Sequence, residues 1–153
     1  GKTPLLMVLD GVTDVRNFGA IARTCACAGA HALILGTHGS VAINGDAVKT
    51  SAGALYHLPV CKVENMQNCL QFLRDSGFNV LAATEHATAN YTSVDMTMPT
   101  AIVMGSEDKG IYEANLRICS HQVAIPMAGP IESLNVSVAA GIMLYEVVRQ
   151  RGC

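Results

Sequence analysis

LLMVLDGVTDVRNFGAIARTCACAGAHALIL, residues 5–35, reads as a strand, a helix and a second strand. LLMVL (5–9) is an unbroken apolar run of buried-strand length, too short for a helix. A polar stretch from Asp10 to Arg16 follows, and Asn17 stands where a helix N-cap belongs. FGAIARTCACAGA is built of small residues that suit a helix, and Gly29 marks its end. ALIL (32–35) is again short and apolar. Two strands joined through a helix form a crossover unit, which pairs its strands in parallel.

The same alternation runs outward through the chain. The region 46–57 predicts a short helix and LPVCKV (58–63) a strand. Asn65 is placed to cap MQNCLQFLRDS, and Gly77 to stop it in the left-handed position beyond the helix end. NVLAAT (79–84) and TAIVMG (100–105) read as buried strands separated by a polar loop rich in Thr and Ala. A short helix near 111–118 leads to a strand at QVAIP (122–126). SLNVSVAAGIMLYEVVRQR (133–151) has helical apolar spacing and a basic end that suits the helix dipole. The expectation is one α/β domain, 1–153, with a mainly parallel sheet and helices on both faces. Ligands of such sheets bind beyond the carboxyl ends of the strands.

Composition narrows the function. Of 153 residues, 50% are hydrophobic and 14% charged, which excludes a disordered chain. No apolar run approaches the roughly 18 residues of a membrane span, and no signal-peptide order opens the sequence; the expectation is a soluble, cytoplasmic domain without a membrane partner. So little charge leaves apolar surface for an interface, and predicts a homodimer. A net charge of −2 argues against wholesale electrostatic capture of nucleic acid. Any RNA contact has to come from a local cluster drawn from Arg16, Arg23, Lys49, Lys109, Arg149 and Arg151; scattered solvated charges are the plain alternative. The six cysteines at 25, 27, 61, 69, 119 and 153 make no C-x-x-C pair, and the five histidines no i, i+4 pair, so no metal is expected.

GKT (1–3) lacks the upstream glycines of a phosphate loop, and no G-x-G-x-x-G follows the first strand. GSEDKG (105–110) does follow a strong strand, and Gly105 and Gly110 let backbone approach a flat ligand; an ordinary strand-to-helix turn would read the same way. IPMAGPIESLN (125–135) is stiffened by Pro126 and Pro130 and leads into the last helix, which Ser133 could cap. Glu107, Ser133 and Asn135 fall beyond strand ends expected to share one rim.

Together these segments resemble the SpoU (TrmH-type) family of RNA ribose 2′-O-methyltransferases. NFGAIART (17–24) is similar to the first family motif through Asn17, Gly19 and Arg23. VMGSEDKG (103–110) is similar to the second through Gly105, Glu107 and Gly110, and IPMAGPIESLNVSVAAGI (125–142) to the third through Ile125, Pro126, Met127, Ser133, Leu134, Asn135 and Ser137. LDGVTDVRNFGA and SLNVSVA look most like the branch that methylates a guanosine ribose of 23S rRNA. That branch usually carries a small N-terminal RNA-binding domain, whereas this sequence begins at the catalytic one, so RNA selection by these residues alone is not expected.

The resemblance implies a C-terminal trefoil knot, a bent S-adenosylmethionine held by the knot loops, and a homodimer with RNA-contacting groups from both subunits. It implies a catalytic set of Arg23, Asn17, Glu107, Ser133 and Asn135, and cofactor binding by Thr84, Gly105, Ile125, Met127 and Leu134. Arg23 is the family's key residue, often proposed as the base. A guanidinium does not deprotonate in a protein, so anchoring a phosphate and stabilising charge on the ribose oxygen is the other role open to it. A tRNA ribose methyltransferase and a non-catalytic RNA-binding module of the same fold are the alternatives.

Overall fold

The computed structural model describes residues 2–152; Gly1 and Cys153 lie outside them. Seven strands form the sheet: β1 (Leu5–Asp10), β2 (Ala32–Gly36), β3 (Val60–Val63), β4 (Asn79–Ala83), β5 (Ala89–Asn90), β6 (Thr100–Gly105) and β7 (His121–Ala124). Their order is β3-β2-β1-β6-β4-β7-β5. Every neighbouring pair is parallel, with Leu5 opposite Thr100 and Asp10 opposite Gly105 at the centre.

The helices are α1 (Val15–Ala28), α2 (Gly45–Thr50), α3 (Met66–Asp75), α4 (Glu113–Ile118) and α5 (Val136–Arg151). Side chains of the central strands alternate between two cores. Leu5, Met7, Leu9, Ile102 and Met104 pack with Phe18, Ile21 and Cys25 of α1 and with Met143, Leu144 and Val147 of α5. Val8, Val80, Ala82, Ala101 and Val103 pack with Leu70 and Leu73 of α3 and with Leu116 of α4. Strands buried on both sides read as continuous apolar runs rather than alternating ones, which is why the sequence displays them.

Several local expectations change. Asp14, not Asn17, caps α1: one carboxylate oxygen accepts from the backbone N–H groups of Arg16 and Asn17, both at 2.9 Å. A carboxylate also favours the positive end of the helix dipole, and the Asn17 side chain is released for other work. Asn135, not Ser133, caps α5, accepting from Ser137 N at 3.0 Å and Val138 N at 3.4 Å, so 125–135 stays irregular. Strand β7 stops at Ala124, because Pro126 has no N–H for a ladder.

The short helix expected within 46–57 is α2, and after it Ala52 and Gly53, with φ values of 53° and 81°, turn the chain into a short 3-10 segment. Asn65 caps α3 as expected, and Gly77 follows it at φ 93°. Gly19 lies beneath Thr50 so closely that a Cβ there would sit 2.4 Å from the threonine Cβ, so glycine is what lets α2 rest on α1.

Arg151 leaves the list of RNA-contact candidates. Its guanidinium turns inward and donates to the carbonyl oxygens of Thr3 (2.8 Å), Pro4 (3.0 Å), Met96 (2.9 Å) and Met98 (2.9 Å). It ties the end of α5 to the segments that enter β1 and β6. Arg149 pairs with the buried Glu146. Cys25 and Cys119 are buried free thiols, and desolvation pushes both up to about 12. Among the described residues no helix is long and apolar enough to cross a membrane, and no group of His, Cys, Asp or Glu is arranged to hold a metal ion.

Candidate active site

The loops beyond β4, β6 and β7 fold toward one another at the carboxyl edge of the sheet. Between them lies a cavity of about 320 Å³, within the size range of small-molecule sites. Thr84, Gly105, Ile125, Met127 and Leu134 all line it, as do Glu107 and Ser133. Its apolar wall adds Met104, Ile111, Val136 and Ala139. These are backbone-bearing or ordinary core residue types, which motif reading does not single out.

The turn after β6 is built tightly. Gly110 N donates to Ser106 O at 2.8 Å, and Lys109 N donates to Ser106 Oγ at 3.2 Å. The returning chain crosses directly over Gly105, where a Cβ would lie 2.2 Å from the carbonyl carbon of Gly110. Asp108 is held below the usual carboxylate range, first by a hydrogen bond from the Ser106 side chain. Glu107 points from this turn to the start of α5. Its Oε1 accepts from Asn135 Nδ2 at 2.7 Å and from Val136 N at 3.1 Å. A carboxylate there satisfies a first-turn amide that has no partner within the helix.

Asn135 Nδ2 also donates to Asn17 Oδ1 at 3.1 Å, so the three motifs meet through one amide. Ser137 adds its hydroxyl to Asn135 Oδ1. The cluster of Asn17, Glu107 and Asn135 forms the rim beside the cavity. Arg23 is not in it. It lies six positions beyond Asn17 on α1, about 9 Å along the axis and roughly 120° around it, exposed on the outer face with Arg16. A shallower groove of about 540 Å³ adjoins the cavity across Ile125 and Met127 and reaches Asn90 and Glu132.

The SpoU rRNA Methylase family matches residues 4–145. The chain belongs to this family. The SpoU chain is 42% identical over 151 residues to the 23S rRNA (guanosine-2′-O-)-methyltransferase RlmB of Yersinia pestis, covering 99% of itself and 61% of that relative. Its fold matches the SpoU methyltransferase AviRb of Streptomyces viridochromogenes, solved with the cofactor AdoMet. The TM-score is 0.90 and the identity 33%, over 99% of this chain and 59% of that one. A TrmH/SpoU tRNA modifying enzyme of A. aeolicus matches with TM-score 0.89 and 34% identity, over 99% of this SpoU chain and 77% of that one.

Proposed function

We propose that this SpoU domain transfers a methyl group from S-adenosylmethionine to a ribose 2′-hydroxyl of RNA, a guanosine of 23S rRNA. The observation that carries the reading is the meeting of three sequence-distant motifs at one cavity, through Asn135 and its bonds to Asn17 and Glu107. Relatives named for RNA methylation support the substrate class.

The cavity suits the cofactor. Glu85, Glu107, Asp108 and Glu113 line it against Lys109 and one histidine, His86, an electronegative lining for a ligand that carries a sulfonium. Met104, Ile125 and Leu134 offer apolar surface for an adenine ring, and the cradle over Gly105 brings backbone close. When bound, S-adenosylmethionine supplies an electrophilic methyl group.

The chain's own part is positioning, which can supply much of the rate of an in-line displacement. Glu107 and Asn135 hold the rim rigid, and Asn17, which accepts from Asn135 through Oδ1, offers its amide hydrogens to the substrate. Ser133 contributes a hydroxyl within reach of a ribose or phosphate. Arg23 anchors the neighbouring phosphate and stabilises charge gathering on the ribose oxygen. The threading of 125–135 into a knot belongs to the same reading, supported by the start of α5 beneath the 105–112 turn.

Two copies complete the site. On the outer surface of α5, Val138 and Tyr145 are 51% and 48% exposed; between them Gly141 lies against Thr24 of α1, whose neighbours Arg23 and Cys27 are exposed. Two such faces pack together and deliver each Arg23 to its partner's rim. Val138→Asp combined with Tyr145→Glu is expected to yield a monomer by analytical ultracentrifugation, with methyl transfer lost; a variant that stays dimeric would place the interface elsewhere.

The deciding experiment is calorimetric titration with S-adenosylmethionine, followed by transfer of its labelled methyl to transcripts of 23S rRNA and tRNA. Uptake of the cofactor with label in 23S rRNA is the expected result. Label in tRNA alone would favour the tRNA reading, for which the A. aeolicus likeness argues. Absence of cofactor uptake would leave a non-catalytic module.

A further inference from the structure

The 105–112 turn is fastened at its entry by the β6 ladder, but its exit lies outside any strand. Tyr112 is the N-cap residue of α4 and has no side-chain cap of its own. The N–H of Tyr112 itself finds its acceptor on the far side of the sequence. Oδ2 of Asp10, the last residue of β1, accepts from Tyr112 N at 2.8 Å and from Asn115 Nδ2 at 3.0 Å. In a capping box the acceptor for the N-cap N–H is a side chain at the third helical position. Here that position is Asn115, which instead steadies the carboxylate of Asp10.

This arrangement has a cost that packing alone does not explain. Asn115 is buried, and with its amide aimed at Asp10 its Oδ1 is left with no hydrogen-bond partner. Buried acceptors are normally satisfied, and an orphan calls for a reason. The reason lies at the other end of the turn. Asp10 pairs with Gly105 across the sheet, and the chain from Gly105 to Tyr112 carries Glu107 at its tip. Fixing both ends of so short a turn fixes where Glu107 meets Asn135 and Val136.

We propose that Asp10 is a positioning residue for the active site, holding the 105–112 turn so that Glu107 pins the start of α5. The inference rests on the methyl-transfer reading above for its catalytic part, and on the Glu107 contacts for its structural part.

The test uses the whole protein, with labelled S-adenosylmethionine and the 23S rRNA transcript as probes, and the NMR exchange rate of the Val136 amide. That amide has no partner within its helix, so its protection reports the Glu107 contact directly. In Asp10→Ala, kcat is expected to fall about 10- to 100-fold, as for a small misplacement of reacting groups. KM for RNA should stay within about threefold, and Val136 should exchange about tenfold faster, the effect of one lost hydrogen bond. Asp10→Asn keeps an acceptor oxygen and is expected to restore most of both.

Tyr112→Pro removes the main-chain donor together with an exposed phenol ring, and Tyr112 sits at φ −58°, where proline is at ease; Tyr112→Ala, which loses the ring but keeps the N–H, is the control and should leave both readouts unchanged. The proline variant should shift both readouts in the same direction and carries the test if Asp10→Ala does not fold. Wild-type kcat and Val136 exchange in a folded variant would overturn the proposal, as would Asp10→Asn behaving no better than Asp10→Ala. A wild-type protein that does not methylate the 23S rRNA transcript, while Val136 still exchanges faster in Asp10→Ala, would overturn the function but keep the hold of Asp10 on Glu107.

Discussion

Arg23→Ala is expected to lower methyl transfer to RNA by about 10²- to 10³-fold, the scale seen when a group that stabilises developing charge is removed. Cofactor affinity should stay within about twofold, because uniform binding is lost only where a contact is lost and Arg23 does not line the cavity. Its side chain is exposed on α1, so the thermal midpoint should scarcely move. A filter assay for transfer and calorimetry for binding separate the two effects. Transfer at the wild-type rate would remove Arg23 from the catalytic set. Weakened cofactor binding would point instead to a role inside the cavity of one copy.

Gly105→Ala should act on everything at once. The new methyl would lie 2.2 Å from the Gly110 carbonyl carbon and 2.3 Å from Ile111 N. Both are backbone atoms of the returning turn, so no side chain can swing aside and the turn itself has to open. Overpacking of this kind costs about 3 kcal/mol, and the loss should appear as a thermal midpoint lowered by roughly 10 °C. The opened turn carries Ser106, Glu107 and Asp108 away from the cavity. Cofactor affinity is therefore expected to fall about 100-fold, the equivalent of roughly 2.7 kcal/mol. Unchanged calorimetry would mean that the turn is not part of the cofactor's cradle.

These two residues also mark what a sequence can and cannot reveal. The central strands are apparent because burial on both faces leaves unbroken apolar runs such as LLMVL and AIVM. Strand β5, only Ala89–Asn90, has no such signal; it adds to the edge through backbone alone, inside a polar loop. At the start of α1, Asp14 and Asn17 are both capable caps three residues apart, and propensity does not choose between them. The charge of Asp14 does, and the Asn17 amide then reaches Asn135. Glu107, Ser133 and Asn135 read as sharing one rim from their places after strands. The placement of Arg23 away from the cavity is not legible, because helix phase matters only once the neighbours of α1 are known. Nor does spacing reveal Asp10 beside Tyr112, a contact across 102 positions.

The register at the sheet's centre also bears on how the molecule is made. Leu5 pairs with Thr100, so β1 has one neighbour, β2, early in synthesis and waits for β6 on its other side. Pairings across such long stretches of chain form slowly. Until residue 105 has left the ribosome, one row of β1 backbone groups, flanked by Met7, Val8 and Leu9, has no partner strand and bonds only to water. Exposed apolar edges of that kind recruit other chains. Faster covering of that row by β6 is therefore expected to raise the share of chains that reach the folded state.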